Sequence, residues 1–245
     1  MFTSPPLSPN IVHLWRIDLE PSGGPFPDCL VPENDLLARE VLSDEEFAKA
    51  SRFVSQPLRL RYAAAHVAMR FILGSYLERP AAEVVLAVEK MGRPIVDFAA
   101  MQLAPSLFFN LSHTEDIALL AVGSQNPLGV DIEAIREMKS RPGIDRQVYT
   151  ETERQRLLDA NDSLWFDHWT AKEAVLKATG YGFYLSPLQI EIDPSLRFAV
   201  ANERSGASRW LLHRCPPSSR WSATLATSSP IEAIDQLEFP WQQIL

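Results

Sequence analysis

Leu128-Gly129-Val130-Asp131-Ile132-Glu133 reads as a short strand, and Ile17-Asp18-Leu19-Glu20 echoes it near the start of the chain. Downstream of each lies a helix start of the same kind. Ser43-Asp44-Glu45-Glu46 and Thr150-Glu151-Thr152-Glu153 are both capping boxes, in which the hydroxyl and the glutamate satisfy each other's free backbone N–H groups. The strand echo is offset by 113 residues and the capping boxes by 107, so one small insertion or deletion between duplicated halves accounts for both. In each half the order is strand, short helix, long helix. A boundary near Gly123–Pro127 divides the chain into residues 1–125 and 126–245.

Working outward, Ile11–Leu19 has the β-branched and aromatic content of a strand, and the Ser43 helix runs to about Phe53. Pro57 suits the first turn of the next helix, where Leu58, Tyr62, Ala65, Met69, Ile72 and Tyr76 recur at steps of four and three as one apolar stripe. Short strands are expected at Val84–Val88, Leu107–Leu111 and Ile117–Val122. In the second half a helix spans roughly Ser163–Thr179 and stops at Gly180, since glycine accepts the left-handed conformation of a helix end. Val200, Trp210–His213 and Trp221–Ala226 read as closing strands, and Glu238–Leu245 as an irregular tail.

Composition narrows the function. Of 245 residues 46% are hydrophobic and 22% charged, the balance of a packed globular chain. With 23 Lys and Arg against 31 Asp and Glu the net charge is −8, which argues against nucleic acid as a non-specific partner. No apolar run approaches the ~18–20 residues of a membrane span. The N-terminus lacks the basic and apolar regions of a signal peptide, so a soluble, cytoplasmic protein is expected. Cys29 and Cys215 are too few for a disulfide framework or a cysteine zinc site.

The candidate chemistry is acidic. Asp131 and Glu133, two apart on a strand, leave the same face ~6–7 Å apart. Two such carboxylates repel unless a cation lies between them, and Mg²⁺ favours oxygen ligands; alone, the pattern is a weak signal and more often marks a solvated strand end. Glu173 and Lys177, at i and i+4, share one helical face, whereas Lys172 lies about 100° away and points elsewhere. Between Ala48 and Leu77 there is no acid, yet Lys49, Arg52, Arg59, Arg61 and Arg70 occur, a local cationic region suited to phosphates or an acidic partner. Within it Arg59, His66 and Arg70 share a face and Arg61 points roughly opposite. Glu89-Lys90-Met91-Gly92-Arg93-Pro94 is a turn with two cations, and Asn110-Leu111-Ser112-His113-Thr114 ends a strand in hydroxyls and an imidazole. Walker loops, Gly-x-Gly-x-x-Gly, Gly-x-Ser-x-Gly and His-Glu-x-x-His are all missing from the sequence.

Gly129-Val130-Asp131-Ile132-Glu133, followed about 36 residues later by Trp169-Thr170-Ala171-Lys172-Glu173-Ala174-Val175-Leu176-Lys177, resembles the signature of Sfp-type 4′-phosphopantetheinyl transferases. Phe109–Thr114 and Gly92-Arg93-Pro94 resemble two further segments of that family. The resemblance implies an α+β fold of two pseudo-symmetric halves, each a small, largely antiparallel sheet packed with helices, with one active site in the cleft between them. It implies transfer of the 4′-phosphopantetheine arm of coenzyme A to a serine of an apo acyl or peptidyl carrier protein, releasing 3′,5′-ADP.

By the same resemblance Asp131, Glu133 and Glu173 hold Mg²⁺ (or Mn²⁺), Asp131, Glu173 and Lys177 are catalytic, and Glu173 is metal ligand, base or both. Ser112, His113, Lys90, Arg93, Lys49, Arg52, Arg61 and Lys177 bind the coenzyme, the first half supplying the phosphate-binding side. Arg93 stands where many members have lysine, which keeps the charge and alters the donor geometry. Members with duplicated halves are monomers, and the same is expected here. Arg136, Lys139, Arg141 and apolar residues near Gly180–Tyr184 are candidates for docking the carrier. A non-catalytic coenzyme A- or carrier-binding relative would be expected to lose Asp131, Glu133, Glu173 or Lys177, and all four are present. A metal-dependent nuclease is disfavoured, because its Glu-x-Lys lies on a strand rather than at helical spacing.

Overall fold

The computed structural model describes residues 2–20, 36–89, 92–124, 127–138, 141–181, 184–215 and 218–244. The first half contains β1 (Ile11–Asp18), α1 (Leu36–Val41), α2 (Asp44–Ser51), α3 (Gln56–Leu77), a 3₁₀ turn at Ala81–Glu83, β2 (Leu86–Val88), β3 (Pro94–Val96), β4 (Phe108–Thr114) and β5 (Ile117–Gly123). The second contains β6 (Leu128–Ala134), α4 (Arg141–Val148), α5 (Glu151–Leu157), α6 (Asp162–Thr179), a 3₁₀ turn at Pro187–Gln189, β7 (Ile190–Ile192), β8 (Phe198–Glu203), β9 (Gly206–Arg214) and β10 (Trp221–Thr227). β11 (Ala233–Glu238) and a 3₁₀ turn at Trp241–Gln243 close the chain. None of the described helices is long and apolar enough to cross a membrane.

The sheets repeat one plan. In the first, ordered β11-β1-β5-β4, the opening strand pairs antiparallel with the closing strand β5; in the second, ordered β6-β10-β9-β8-β7, β6 pairs antiparallel with β10 in the same way. The fold is α+β. Its closing segment corrects the expected irregular tail: β11 lies parallel to β1, from Ile11 opposite Ala233 to Arg16 opposite Glu238. Phe239 and Trp241 then enter the first-half core, and the Trp241 indole donates to the Asp18 carbonyl. Ala233-Ile234-Asp235-Gln236-Leu237-Glu238 offers little apolar signal because this edge strand is mostly exposed.

Each sheet has a helix on its outer face and the other sheet on its inner face. α3 covers Trp15, Ile17, Leu19, Leu120 and Val122 through Ala65, Met69 and Ile72. α6 covers Ile190, Ala199, Trp210 and Ala226 through Ala171, Ala174, Val175 and Ala178. Between the sheets lie Val12, Leu14, Ile117 and Leu119 of one and Leu128, Val130, Ile132 and Leu225 of the other. This phase corrects the sequence echo. Gly129, Asp131 and Glu133 form the row facing α6, whereas the row facing α3 is Trp15, Ile17 and Leu19. Because side chains alternate along a strand, a one-residue slip moves Asp18 to the other side, and Glu20 lies past the strand's end, where it binds Arg61 of α3.

The halves also join through their edge strands. Asn110, Ser112 and Thr114, alternate residues of β4, accept the N–H groups of Val130 (2.8 Å), Ile132 (3.4 Å) and Ala134 (3.1 Å) on β6. An edge strand leaves such groups unpaired, and buried ones must find partners. Here the side chains of one strand replace the backbone of another.

Both capping boxes form as expected, and both glutamates reach the long helix of their own half. Glu46 binds Arg70 (Nε–Oε2 2.6 Å) and His66 (Nδ1–Oε1 2.9 Å) on α3. Glu153, fully buried, pairs with the fully buried Lys172 of α6 (2.7 Å) and accepts the Ile192 N–H (2.9 Å). Each long-helix cation also donates to both ends of the following 3₁₀ turn. Arg70 reaches the Ala81 and Val84 carbonyls, and Lys172 those of Pro187 and Ile190.

Two outcomes follow. A Cβ on Gly129 would lie 2.2 Å from the Ala174 carbonyl oxygen and 2.5 Å from the Ala178 nitrogen. Backbone atoms cannot turn aside, so Gly129→Ala is expected to cost about 2–3 kcal/mol in chemical denaturation and to lower activity by displacing α6. For Glu46, burial alone would raise the pKa; the His66 and Ser43 hydrogen bonds and the Arg70 charge outweigh it and hold the carboxyl at about 2, against an ordinary 4.5. A depressed folded pKa stabilises above the unfolded value and is lost as pH falls through the folded one. Relative to Glu46→Gln, the native chain should therefore lose on the order of 3 kcal/mol between these two pH values, read from denaturation midpoints along a pH series.

Candidate active site

At the C-terminal part of α6 the close approach permitted by Gly129 sets Lys177 against β6. Its Nζ donates to Asp131 Oδ1 (2.7 Å), Ser112 Oγ (2.8 Å) and the Val130 carbonyl (3.1 Å). The Ser112 hydroxyl in turn donates to Asp131 Oδ1 (3.0 Å). Asp131 is buried, and its second oxygen, Oδ2, is buried with no hydrogen-bond partner. A buried carboxylate oxygen left unpaired is costly, so this atom marks a place for a donor or a cation.

Two further acids face the same space. Burial raises the Glu173 carboxyl above its ordinary range, the nearby Asp131 charge raises it further, and Lys177 opposes the shift without cancelling it. Burial and Asp131 likewise raise Glu133, against Arg136, which pairs with it at 3.5 Å. Glu133 and Glu173, each raised by burial and by the charge of Asp131, are with it hard oxygen donors of the kind a divalent cation takes. Among the described residues, however, no three His, Cys, Asp or Glu side chains converge tightly enough to enclose an ion. Asp131 turns to Lys177 instead. Asp131 Oδ2, Glu133 and Glu173 suit a hard cation in donor chemistry, without the enclosing geometry.

A cavity of 560 Å³ opens beside these groups, walled by Asn110, Glu173, Leu176, Lys177, Leu185 and Arg93 among others. Arg93 closes one end. Its guanidinium donates to the Lys177 and Ala178 carbonyls, capping α6, and pairs with Glu89. That use of the side chain was not visible in the Gly-Arg-Pro turn. Lys90 lies outside the described residues.

On the first-half side, His113 stands at the surface of the cleft. Confinement by the cleft walls lowers its pKa, and the charges of His66, Lys177, Lys49 and Arg61 lower it further. Lys49 Nζ stands 5.3 Å over the Tyr62 ring, which stacks on His66 at 4.1 Å, and Arg61 binds Glu20 at 2.8 Å through Nε. Arg52 caps α2 with its backbone and is exposed. The structure thus brings Asp131, Glu133, Glu173, Lys177 and Ser112 together, with His113, Lys49 and Arg61 at an adjoining cationic wall.

Other assignments change. Arg70, counted in the cationic region, is buried in its work between Glu46 and the 3₁₀ turn. Of the docking candidates, Arg141 is committed to Asp162 and the Ala160 carbonyl, Lys139 lies outside the described residues, and Arg136 is exposed over the Phe166 ring. Tyr181 and Tyr184 are exposed. The sequence reading missed Asn110 and Thr114 as joint residues; polar side chains at every second position of a buried strand were the available signal.

Comparison with known proteins bears on both halves. The sequence model of the 4′-phosphopantetheinyl transferase superfamily matches residues 127–227, and that of the 4′-phosphopantetheinyl transferase N-terminal region matches residues 32–125. The chain is 32% identical over 233 residues to the 4′-phosphopantetheinyl transferase HetI of Nostoc sp., covering 91% of this chain and 92% of that one. It is 31% identical over 168 residues to the 4′-phosphopantetheinyl transferase psf-1 of Bacillus pumilus, covering 64% and 69%. Over 176 residues it is 26% identical to the human L-aminoadipate-semialdehyde dehydrogenase-phosphopantetheinyl transferase, covering 65% and 55%. Matched in both halves and aligned to one relative along nearly its whole length, the chain is an enzyme of the 4′-phosphopantetheinyl transferase superfamily.

Proposed function

We propose that the enzyme, acting as a cytoplasmic monomer, transfers the 4′-phosphopantetheine arm of coenzyme A to a serine hydroxyl of an apo acyl or peptidyl carrier protein, releasing 3′,5′-ADP. The observation that carries this reading at the site is Lys177 held 2.7 Å from Asp131 while Asp131 Oδ2 stays buried and unpaired beside Glu133 and Glu173. In this reading residues 1–125 supply the coenzyme-phosphate side and residues 126–245 the acids and the lysine.

The reaction needs a hydroxyl to attack the β-phosphorus of a pyrophosphate, with a phosphate departing on the opposite side. Positioning and charge neutralisation carry most of such a transfer. Asp131, Glu133 and Glu173 are the residues to hold Mg²⁺ or Mn²⁺, which when bound supplies positive charge to the pyrophosphate oxygens. Glu173, its pKa raised by burial, is suited to take the serine proton, directly or through water, as the hydroxyl attacks. Lys177, already fixed by three oxygens, presents its charge to the phosphate that leaves as 3′,5′-ADP. Ser112 fixes both Lys177 and Asp131 and so sets the distance between the cationic and acidic sides.

Intact-mass spectrometry tests the reaction. An apo carrier protein incubated with the enzyme, coenzyme A and Mg²⁺ should gain the mass of one phosphopantetheine arm, and EDTA should abolish the gain. A folded enzyme that modifies neither an acyl nor a peptidyl carrier would overturn the reading. Glu173→Ala and Lys177→Ala should each lower kcat/KM by roughly 10²–10⁴-fold. Full activity in both would show that the chemistry lies elsewhere.

A further inference from the structure

The two long helices end differently. At the C-terminus of a helix the last carbonyls have no partner within the helix and must find one elsewhere. α3 closes itself: the N–H groups of Glu78, which is left-handed (φ 53°), and of Arg79 both return to the Gly74 carbonyl. α6 does so only in part. The Gly180 N–H reaches the Lys177 carbonyl at 3.3 Å, a long bond, and the Thr179 hydroxyl serves Leu176. The remainder comes from the other half, where Arg93 Nη1 donates to the carbonyls of Lys177 (3.1 Å) and Ala178 (3.4 Å). A long helix of this fold can thus be closed by its own chain. Fold stability alone gives no reason for α6 to draw on a residue 84 positions away.

What α6 carries at that end supplies the reason. Lys177 is gripped twice by the first half, at its ammonium by Ser112 of β4 and at its carbonyl by Arg93, which immediately precedes β3. Glu173 lies one turn earlier on the same helical face, and Arg93, Glu173 and Lys177 wall one cavity of 560 Å³. The guanidinium is itself held. Glu89 approaches its Nε at 2.9 Å and its Nη2 at 3.4 Å, so all three nitrogens lie within 3.4 Å of Glu89 or of an α6 carbonyl. A planar fork engaged on both edges has one orientation, and a cation at a helix C-terminus also meets the negative end of the helix dipole. A side chain so committed is built to hold the helix rather than to reach into the cavity.

We infer that Arg93, oriented by Glu89, is a positioning residue of the transfer: from the first half it fixes the last turn of α6, and with it the places of Lys177 and Glu173, and it acts on turnover rather than on coenzyme binding. The inference rests on the transferase reading above and replaces the coenzyme contact that the family resemblance gave to Arg93. Removing the strap leaves every group of the site in the chain and frees the turn that carries two of them to shift. In a transfer that depends on alignment, a displacement of about 1 Å costs on the order of 10²-fold in rate.

The test measures kcat and KM for coenzyme A, with Mg²⁺ and a saturating apo carrier, in the native enzyme, Arg93→Gln, Arg93→Lys and Glu89→Gln. In Arg93→Gln kcat should fall roughly 10- to 100-fold while KM for coenzyme A changes by less than about threefold. Arg93→Lys keeps the charge without the planar fork and should recover only part of kcat, and Glu89→Gln should lose part of it. Two readouts do not depend on turnover. Calorimetric titration should give Arg93→Gln the native affinity for coenzyme A, and amide hydrogen exchange should quicken at residues 176–180 while residues 165–171 keep their protection. A KM raised about tenfold with kcat preserved, full rescue by lysine, or protection lost equally along α6 or not at all overturns the inference while leaving the transferase reading intact. Should Arg93→Gln fail to fold, the lysine and Glu89 variants read the same division between kcat and KM. A native enzyme that transfers nothing overturns both.

Discussion

Three side chains on one strand hold the two halves in register, and the site depends on them. β4 and β6 are each an edge of their own sheet, and an edge carries a row of backbone groups that burial would leave unpaired. Asn110, Ser112 and Thr114 take the N–H groups of Val130, Ile132 and Ala134 in turn, so any slip between the halves unpairs several buried donors at once. Ser112 belongs to both arrangements. The oxygen that accepts from Ile132 also accepts from Lys177 and donates to Asp131. The spacing of Lys177 from Asp131 is thus set by the same rung that closes the halves, which places the candidate site on strands and a helix rather than on loops.

Within each half the equivalent constraint is the capping-box glutamate. It completes the N-terminus of a short helix and binds a cation on the long helix, and that cation donates to both ends of the next 3₁₀ turn. A single buried acid therefore ties three consecutive segments. Arg70 and Lys172 do this from different positions on their helices, so two different cations make the same kind of link. A buried pair of this kind is dear to break, because removing one partner strands the other's charge. This explains why Lys172, next in sequence to Glu173, takes no part in the cleft: its ammonium is buried against Glu153.

Much of this was legible in the sequence. The two capping boxes, the long helices and the duplicated order follow from local spacing, because periodicity and cap chemistry are written in adjacent residues, whereas the grouping of Asp131 with Glu173 and Lys177 came from the resemblance to a family signature. Other features were not. β11 is an exposed edge with a weak pattern, and its parallel pairing with β1 is decided by residues more than 200 positions away. The echo of Val130-Asp131-Ile132-Glu133 in Ile17-Asp18-Leu19-Glu20 was real as letters and misleading as geometry. Only the identity of the helix-facing row, Gly129-Asp131-Glu133 against Trp15-Ile17-Leu19, shows that the acids do not correspond. Arg93 and Arg141 are cations whose partners are backbone carbonyls, and a carbonyl leaves no mark in a sequence.

That phase difference also confines the acid–lysine cluster to the second half. The first half has apolar residues where the second has Asp131 and Glu133, and its long-helix cation is consumed by the fold, so it cannot rebuild an acid–lysine cluster. It carries instead a wall of His66, His113, Lys49 and Arg61. Separation of the two charge types is what the proposed chemistry demands. A divalent ion calls for bare carboxylates and a phosphate calls for bare cations, yet the two sets placed in one patch would pair with each other and neutralise both. Duplication offers a way out, since two facing surfaces with independent sequences can keep opposite charges apart across a cleft. Lys177 is the point at which they meet: it crosses from the acidic half to Ser112 of the other while bound to Asp131.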